Sequence, residues 1–267
     1  YIDTKMGTAH SRWMIAPGPW MPFSMVKLSP DNQDAGWSSG YDPMYSSIGT
    51  FSHIHEWTLS GLGTFPTSGP LKLQVGPREH PEKGYRSKFD PTSEVADVDY
   101  YKVHLTDHNI EAELTATTRC SFQRYTYPKQ QGSRIMIDLM TPAEYSYVLK
   151  DVKFKTVSDY RVEGSSHQFA ARVWSNDADQ DYTVHFVIEF DQPIKKIGFW
   201  NGDQVISGDS IHLNDPKSAG AFVEFDTRVH RAVQMRTGIS LVSTENAALN
   251  LKQEITDPFG WSFDKVK

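Results

Sequence analysis

The chain has 267 residues, with 27 Lys+Arg against 33 Asp+Glu, a formal net charge of −6. That acidic balance argues against the basic surface of a nucleic-acid binder, and no run of about 20 apolar residues is present to cross a membrane as a helix. A chain of this length should leave ~12,000 Å² exposed of the ~44,000 Å² open to its unfolded form, enough burial for a core without covalent staples. Its one cysteine, Cys120, excludes an intrachain disulfide and a Cys-based zinc site. Tyr1 opens directly into what reads as mature sequence, as expected of a chain whose signal peptide has been removed.

In chain order, the first clean periodicity is Leu71-Lys72-Leu73-Gln74-Val75, which alternates and stops at Gly76-Pro77, predicting a strand. Arg78 to Asp90 is polar, carries Pro and Gly, and reads as a solvated loop. Ile110 to Tyr127, rich in Thr, Tyr and Phe, reads as one long strand or two shorter ones. Cys120 falls in that alternating run, where a thiol is buried and inert. Further on, Tyr182, Val184, Phe186, Ile188 and Phe190 share one strand face, and Thr183, His185, Val187 and Glu189 the other. Asn201-Gly202 and Gly208-Asp209 mark hairpins. Phe222-Val223-Glu224-Phe225 and Ala232 to Val242 again read as strands.

Then the pattern changes. Ser243-Thr244-Glu245-Asn246 can cap a helix in which Ala248, Leu251 and Ile255 share a face, and Asp257-Pro258-Phe259-Gly260 ends it. Trp261 to Lys267 carries no stop signal and reads as an approach to something that follows. Many short strands with frequent turns, one C-terminal helix and no internal repeat predict an all-β fold, an antiparallel β-sandwich.

The densest group of chemically distinctive residues lies between Gly36 and Gly63. Trp37, Tyr41 and Trp57 offer flat apolar faces with a polar edge, suited either to the C–H faces of sugar rings or to packing the sandwich. His53 and His55 are one residue apart, so on a strand both rings point to the same face, as a metal pair would. A metal site needs further ligands, and Glu56 would point to the opposite face. The pattern therefore favours a hydrogen-bonded wall over a transition-metal site. A glycosidase needs two carboxyl groups flanking the scissile bond. Asp31, Asp34, Asp42, Glu56, Glu94, Asp97 and Asp99 are all available, none in a distinctive context. No nucleophile elbow, phosphate loop or dinucleotide fingerprint is present.

At the same residues the chain resembles a known family. Tyr1-Ile2-Asp3 with Met6-Gly7-Thr8, and Pro22-Phe23-Ser24-Met25-Val26-Lys27-Leu28-Ser29-Pro30-Asp31, resemble the opening motifs of glycoside hydrolase family 92. So do Gly36-Trp37 with Ser39-Gly40-Tyr41, Phe51-Ser52-His53-Ile54-His55, and Tyr85-Arg86-Ser87-Lys88-Phe89. Glu94-Val95-Ala96 with Tyr100-Tyr101, the run Ala112 to Arg119, and Gly238-Ile239-Ser240 with Glu245-Asn246-Ala247 complete the series in family order.

The resemblance implies the N-terminal domain of a calcium-dependent exo-α-mannosidase. Residues 1–243 would form a β-sandwich (supersandwich-like). Residues 244–267 would form a linker helix and the approach to an (α/α)6 barrel outside this sequence. It implies inverting removal of terminal α-mannose from glycans, with sugar bound where sandwich and barrel meet. The acid, the base and most groups organising calcium (Ca2+) would lie in the barrel, so this chain would carry no catalytic residue or metal ligand of its own. Trp37 would be a stacking platform, His53 and His55 polar wall, and Tyr41, Glu56 and Trp57 further sugar contacts. The implied location is secreted or periplasmic. The rival reading is a stand-alone carbohydrate-binding module without catalysis. The chain departs from the family where the pocket should be: Gly36-Trp37-Ser38-Ser39-Gly40-Tyr41 lacks the second aromatic and the cysteine of G-W-D-W-C-S-G-Y, and Glu56-Trp57-Thr58 precedes Leu59-Ser60-Gly61.

Overall fold

The computed structural model describes residues 2–9, 16–32, 40–55, 59–129, 132–141, 146–173 and 178–267. Its exposed surface is 11,790 Å², close to the expectation for a compact chain of this length.

Two antiparallel sheets face each other. The smaller runs, in spatial order, β1 (Ser29–Asp31), β3 (Thr50–Ser52), β4 (Gly63–Thr67), β9 (Ser133–Asp138), β16 (Ala219–Phe225), β13 (Lys196–Asn201) and β14 (Gln204–Ile206). The larger runs β15 (Ser210–Asn214), β10 (Val148–Ser158), β11 (Arg161–Val173), β12 (Ala178–Phe190), β17 (Ala232–Ser240), β8 (Cys120–Thr126), β7 (Ile110–Ala116), β6 (Tyr101–Leu105), β5 (Ser87–Ala96) and β2 (Ser47–Ile48). The all-β sandwich expected from the alternation is thus the fold.

The core is aromatic and forms where the inner faces meet. Phe51 on β3 stacks 6.4 Å from Tyr125 on β8, Phe154 on β10 lies 5.7 Å from Phe199 on β13, and Phe190 on β12 lies 5.1 Å from Phe225 on β16. Val184, Phe186, Ile188 and Phe190 all bury on this side, as the period of two in β12 requires.

Val187 points the other way and is also buried, because the outer face of the larger sheet is covered. Helix α1 (Thr244–Leu251) lies there, capped by the Ser243 side chain accepting from Asn246 N–H. Ala247, Leu251 and Ile255 pack with Cys120, Phe122, Val187 and Phe263. The helix sits so close to β17 that a Cβ at Gly238 would fall 2.3 Å from the Ala247 carbonyl oxygen. Beyond α1 the ladder widens, and Asp257 N–H reaches the Lys252 carbonyl. Pro258 follows at the position whose missing N–H cannot continue the normal bonding. Gly260, at φ 57, closes the helix with bonds to the Ile255 and Thr256 carbonyls.

Residues 261–267 do not trail away. Arg236 lies 4.0 Å from the Trp261 ring centre, Arg124 lies 4.4 Å from that of Phe263, and the Lys267 ammonium lies 3.7 Å from that of Tyr100. The Arg119 guanidinium meets Glu254 at 2.6 Å.

Two sequence expectations are corrected. Leu71 to Val75 forms no strand. Leu71, Leu73 and Val75 do pack against the core, but the segment is tied to its neighbour through Tyr85 and Arg86 N–H bonds to the Gln74 and Val75 carbonyls, at 2.9 and 3.0 Å, without extending into a ladder. Ser87 to Asp90, assigned to a loop, opens β5, because Phe89 supplies an inward apolar anchor that is 6% exposed.

Candidate functional site

The site region forms at the edge of the smaller sheet, around β1, β3 and β4. Phe51 faces the core, so Ser29, Asp31 and Ser52 fall on the opposite, outer face. Residues 16–20 cover that face. Gly18 N–H and the Trp20 indole N–H both donate to Ser29 Oγ at 2.9 Å.

Under this cover lies a buried ion pair. His55 Nε2 meets Asp31 Oδ1 at 2.8 Å, with side chains 0% and 1% exposed. The other ring nitrogen, Nδ1, donates to the Lys27 carbonyl at 3.0 Å, and the Trp20 ring centre is 6.4 Å away. Burial alone would push the His55 pKa down. The Asp31 charge and hydrogen bond, with the Lys27 carbonyl, outweigh it and hold the imidazole above its ordinary range.

His53 goes inward. Its Nδ1–H donates to the Leu62 carbonyl at 3.1 Å and its Nε2 accepts from the Ser121 hydroxyl at 2.8 Å, across on β8. Burial pushes its pKa down to about 4, against the Leu62 carbonyl and helped by nearby His55, so the ring is neutral. The two histidines therefore do not share a face. β3 ends at Ser52 and the chain bends at His53, so strand alternation stops before it can govern both rings.

Asn32 and residues 40–42 are clamped together. Asn32 N–H bonds the Gly40 carbonyl at 2.9 Å, Asn32 Nδ2 donates to the Asp42 carbonyl at 2.6 Å, and Asp42 N–H returns to Asn32 Oδ1 at 2.8 Å. Arg86 Nη1 donates to the Asn32 carbonyl at 3.0 Å. Tyr41 is buried, and its hydroxyl and that of Tyr101 each donate to Glu94 Oε1 at 2.7 Å. Lys5 Nζ meets the second Glu94 oxygen at 2.8 Å. Burial, then the Glu94 charge, raises the Tyr41 pKa well beyond the phenol range and keeps it a donor.

Ser60 and Gly61 are held in the same way. Ser60 N–H donates to the Tyr182 hydroxyl at 2.9 Å, which donates in turn to Gln168 Oε1 at 2.8 Å. The Ser60 and Thr141 hydroxyls bond, and Gly61 N–H reaches Thr141 Oγ1 at 3.1 Å. Gly61 needs to be glycine twice over: φ is +110°, and a Cβ would sit 1.4 Å from Gln168 Nε2. Thr141 thereby ties its own stretch of chain to Ser60 and Gly61.

Of the six site residues named from the sequence, Trp37, Glu56 and Trp57 lie outside the described residues. Tyr41, His53 and His55 are buried stems and braces in this chain. Among the carboxylates considered, Asp31 serves His55, the Asp42 carboxylate accepts from Met44 N–H at 2.9 Å while its backbone makes the Asn32 clamp, and Glu94 serves two tyrosines and a lysine. Among the described residues, no three His, Cys, Asp or Glu side chains converge to hold a metal ion. These residues therefore do not fit a calcium cage, which needs six to eight oxygens. Sequence reasoning missed Trp20, Asn32, Thr141 and Gln168 as supports. Asn32, beside the Gly36-bearing stretch, carried a local signal, whereas Thr141 and Gln168 come from distant parts of the chain and carried none.

The chain matches the model described as the glycosyl hydrolase family 92 N-terminal domain over residues 1–240. No curated protein matches it. Among solved structures, it is similar to a family GH92 α-mannosidase from Bacteroides thetaiotaomicron, with TM-score 0.85 and 26% identity over 98% of this chain and 35% of that one. The same relative has been solved in complex with mannoimidazole, again at TM-score 0.85. A family GH92 inverting mannosidase from Bacteroides thetaiotaomicron shares the fold at TM-score 0.77 and 21% identity, over 96% of this chain and 33% of that one. The chain thus spans about a third of the length of the structures it matches.

Proposed function

Because the chain belongs to the glycosyl hydrolase family 92 N-terminal domains, we propose that it is the sugar-pocket half of an exo-acting, inverting α-mannosidase that removes terminal mannose from glycans. The observation that carries this reading is the similarity to an α-mannosidase over 98% of the chain at TM-score 0.85. In this reading Trp37 is a stacking platform and Glu56 and Trp57 are further sugar contacts. Tyr41, His53 and His55 brace the backbone beside those positions from within the chain. A neutral His53 and a charge-paired His55 keep the stems rigid, and their hydrogen bonds are already satisfied within the chain.

The proton donor and the base that activates water on the opposite face of the sugar belong to an (α/α)6 barrel in the same polypeptide. Most of the groups that organise the calcium of the complete enzyme belong there too. The protein works outside the cytoplasm, secreted or in a periplasm. The test is mannose release from α-1,2-mannobiose, with calcium and with chelator. The 267-residue chain should release none in either case, and the full-length protein should release mannose with inversion and only with calcium. Calcium-dependent release by the 267-residue chain would place the catalytic pair inside it and overturn this division of labour.

A further inference from the structure

The turn from Met21 to Ser24 has no role in the sugar pocket as described. Ser24 N–H closes it on the Met21 carbonyl at 3.1 Å, with Pro22 and Phe23 at its centre. Phe23 holds φ 57, at the turn position that normally takes glycine or asparagine because a Cβ is strained there. Its ring is 105% exposed, and Met21 beside it is 48% exposed. The turn is nonetheless braced. Ser24 Oγ donates to the Val26 carbonyl at 2.7 Å, and the Met25 and Val26 N–H groups share the Thr118 carbonyl at 2.8 and 3.2 Å. Trp20 and Lys27 bridge its base, with the ammonium 5.4 Å from the indole ring centre. A strained backbone that aims an apolar side chain into water marks a contact surface.

We propose that the Met21–Phe23 turn is a docking finger that enters an apolar socket on a second domain of the same polypeptide. The inference rests on the two-domain reading above. The shape selects the partner. Small-molecule sites are concave, whereas Phe23 is a convex knob that needs a concave surface to leave water. The supply of such a surface follows from length, since this chain covers only 35% of the α-mannosidase it resembles. Docking there also bears on the pocket, because Trp20 at the base of the finger borders His55.

The test is Phe23→p-benzoylphenylalanine in the full-length protein, irradiated and mapped by mass spectrometry. A cross-link within one polypeptide to residues beyond Lys267 is expected. A cross-link to a second copy, or none, would overturn the proposal. Phe23→Gly gives a second readout, since it relieves φ and removes the ring together. It should raise the Tm of the 267-residue chain by about 2–4 °C and lower that of the full-length protein. A rise in both would overturn the proposal. Mannose release by the unmodified full-length protein is scored separately. If it fails while the cross-link forms, the mannosidase reading falls and the docking surface stands.

Discussion

His53→Asn should flatten the acid limb of the stability curve. In the folded chain the His53 pKa is pushed down to about 4, from an ordinary 6.5, by burial. The unfolded chain therefore takes up a proton below pH 6.5 that the folded chain refuses until about pH 4. Stability is unaffected above pH 6.5 and falls as pH drops, with a slope approaching 1.4 kcal/mol per pH unit. Linkage across that window amounts to about 2 kcal/mol by pH 5 and about 3 kcal/mol by pH 4. Asparagine can keep the bond to the Leu62 carbonyl but cannot titrate. It loses the Ser121 bond at a pH-independent cost of about 1–3 kcal/mol. Urea unfolding of the 267-residue chain at pH 7, 6 and 5, for wild type and variant at constant ionic strength, isolates the effect, because every other titrating group is common to both. The stability gap should narrow by about 2 kcal/mol between pH 7 and pH 5. A gap constant over that range would show that His53 is not a neutral imidazole confined in the core.

His55 acts on the other side of neutrality. Its folded pKa is raised, so the Asp31 pair contributes fully below pH 6.5 and loses its contribution as pH rises through the folded value. Asp31→Asn should remove that alkaline dependence and cost about 3–5 kcal/mol at pH 6, where it strands a buried charge; thermal melts from pH 6 to 9 read both effects. Gly238→Ala should cost about 1–3 kcal/mol by pushing α1 off β17, and a red shift in tryptophan emission should report Trp261 loosening in the native state. Gly61→Ala should destabilise comparably, and adding Gln168→Ala should recover only part of the loss, since the positive φ remains; denaturation midpoints of the single and double variants decide it.

The sandwich was legible because its signal is a repeated local one. The alternation in 182–190 fixes an inner and an outer face without knowledge of any partner strand. Leu71 to Val75 shows the limit, because alternation alone does not supply a partner strand, and here the neighbouring chain offers only the Tyr85 and Arg86 bonds to Gln74 and Val75. The candidate site was legible by type and not by arrangement. The histidine pair stood out as residues, but where β3 stops decides which way each ring points. No local pattern announces that Asp31 will meet His55 across a bend, or that Glu94 will collect hydroxyls from Tyr41 and Tyr101. Those contacts are set by sheet register and by the covering segment 16–20.

The stacking of Trp261, Phe263 and Tyr100 beneath Arg236, Arg124 and Lys267 has a mechanical consequence. A segment tied down at three points along the outer sheet cannot serve as a hinge. Any polypeptide joined after Lys267 would leave the sandwich at a set position and in a set direction, behaving as a lever bolted to the sheet. Relative motion, where it occurred, would have to bend something further along, and the geometry of a shared pocket would be inherited from the β7–β8 face as much as from the pocket walls themselves.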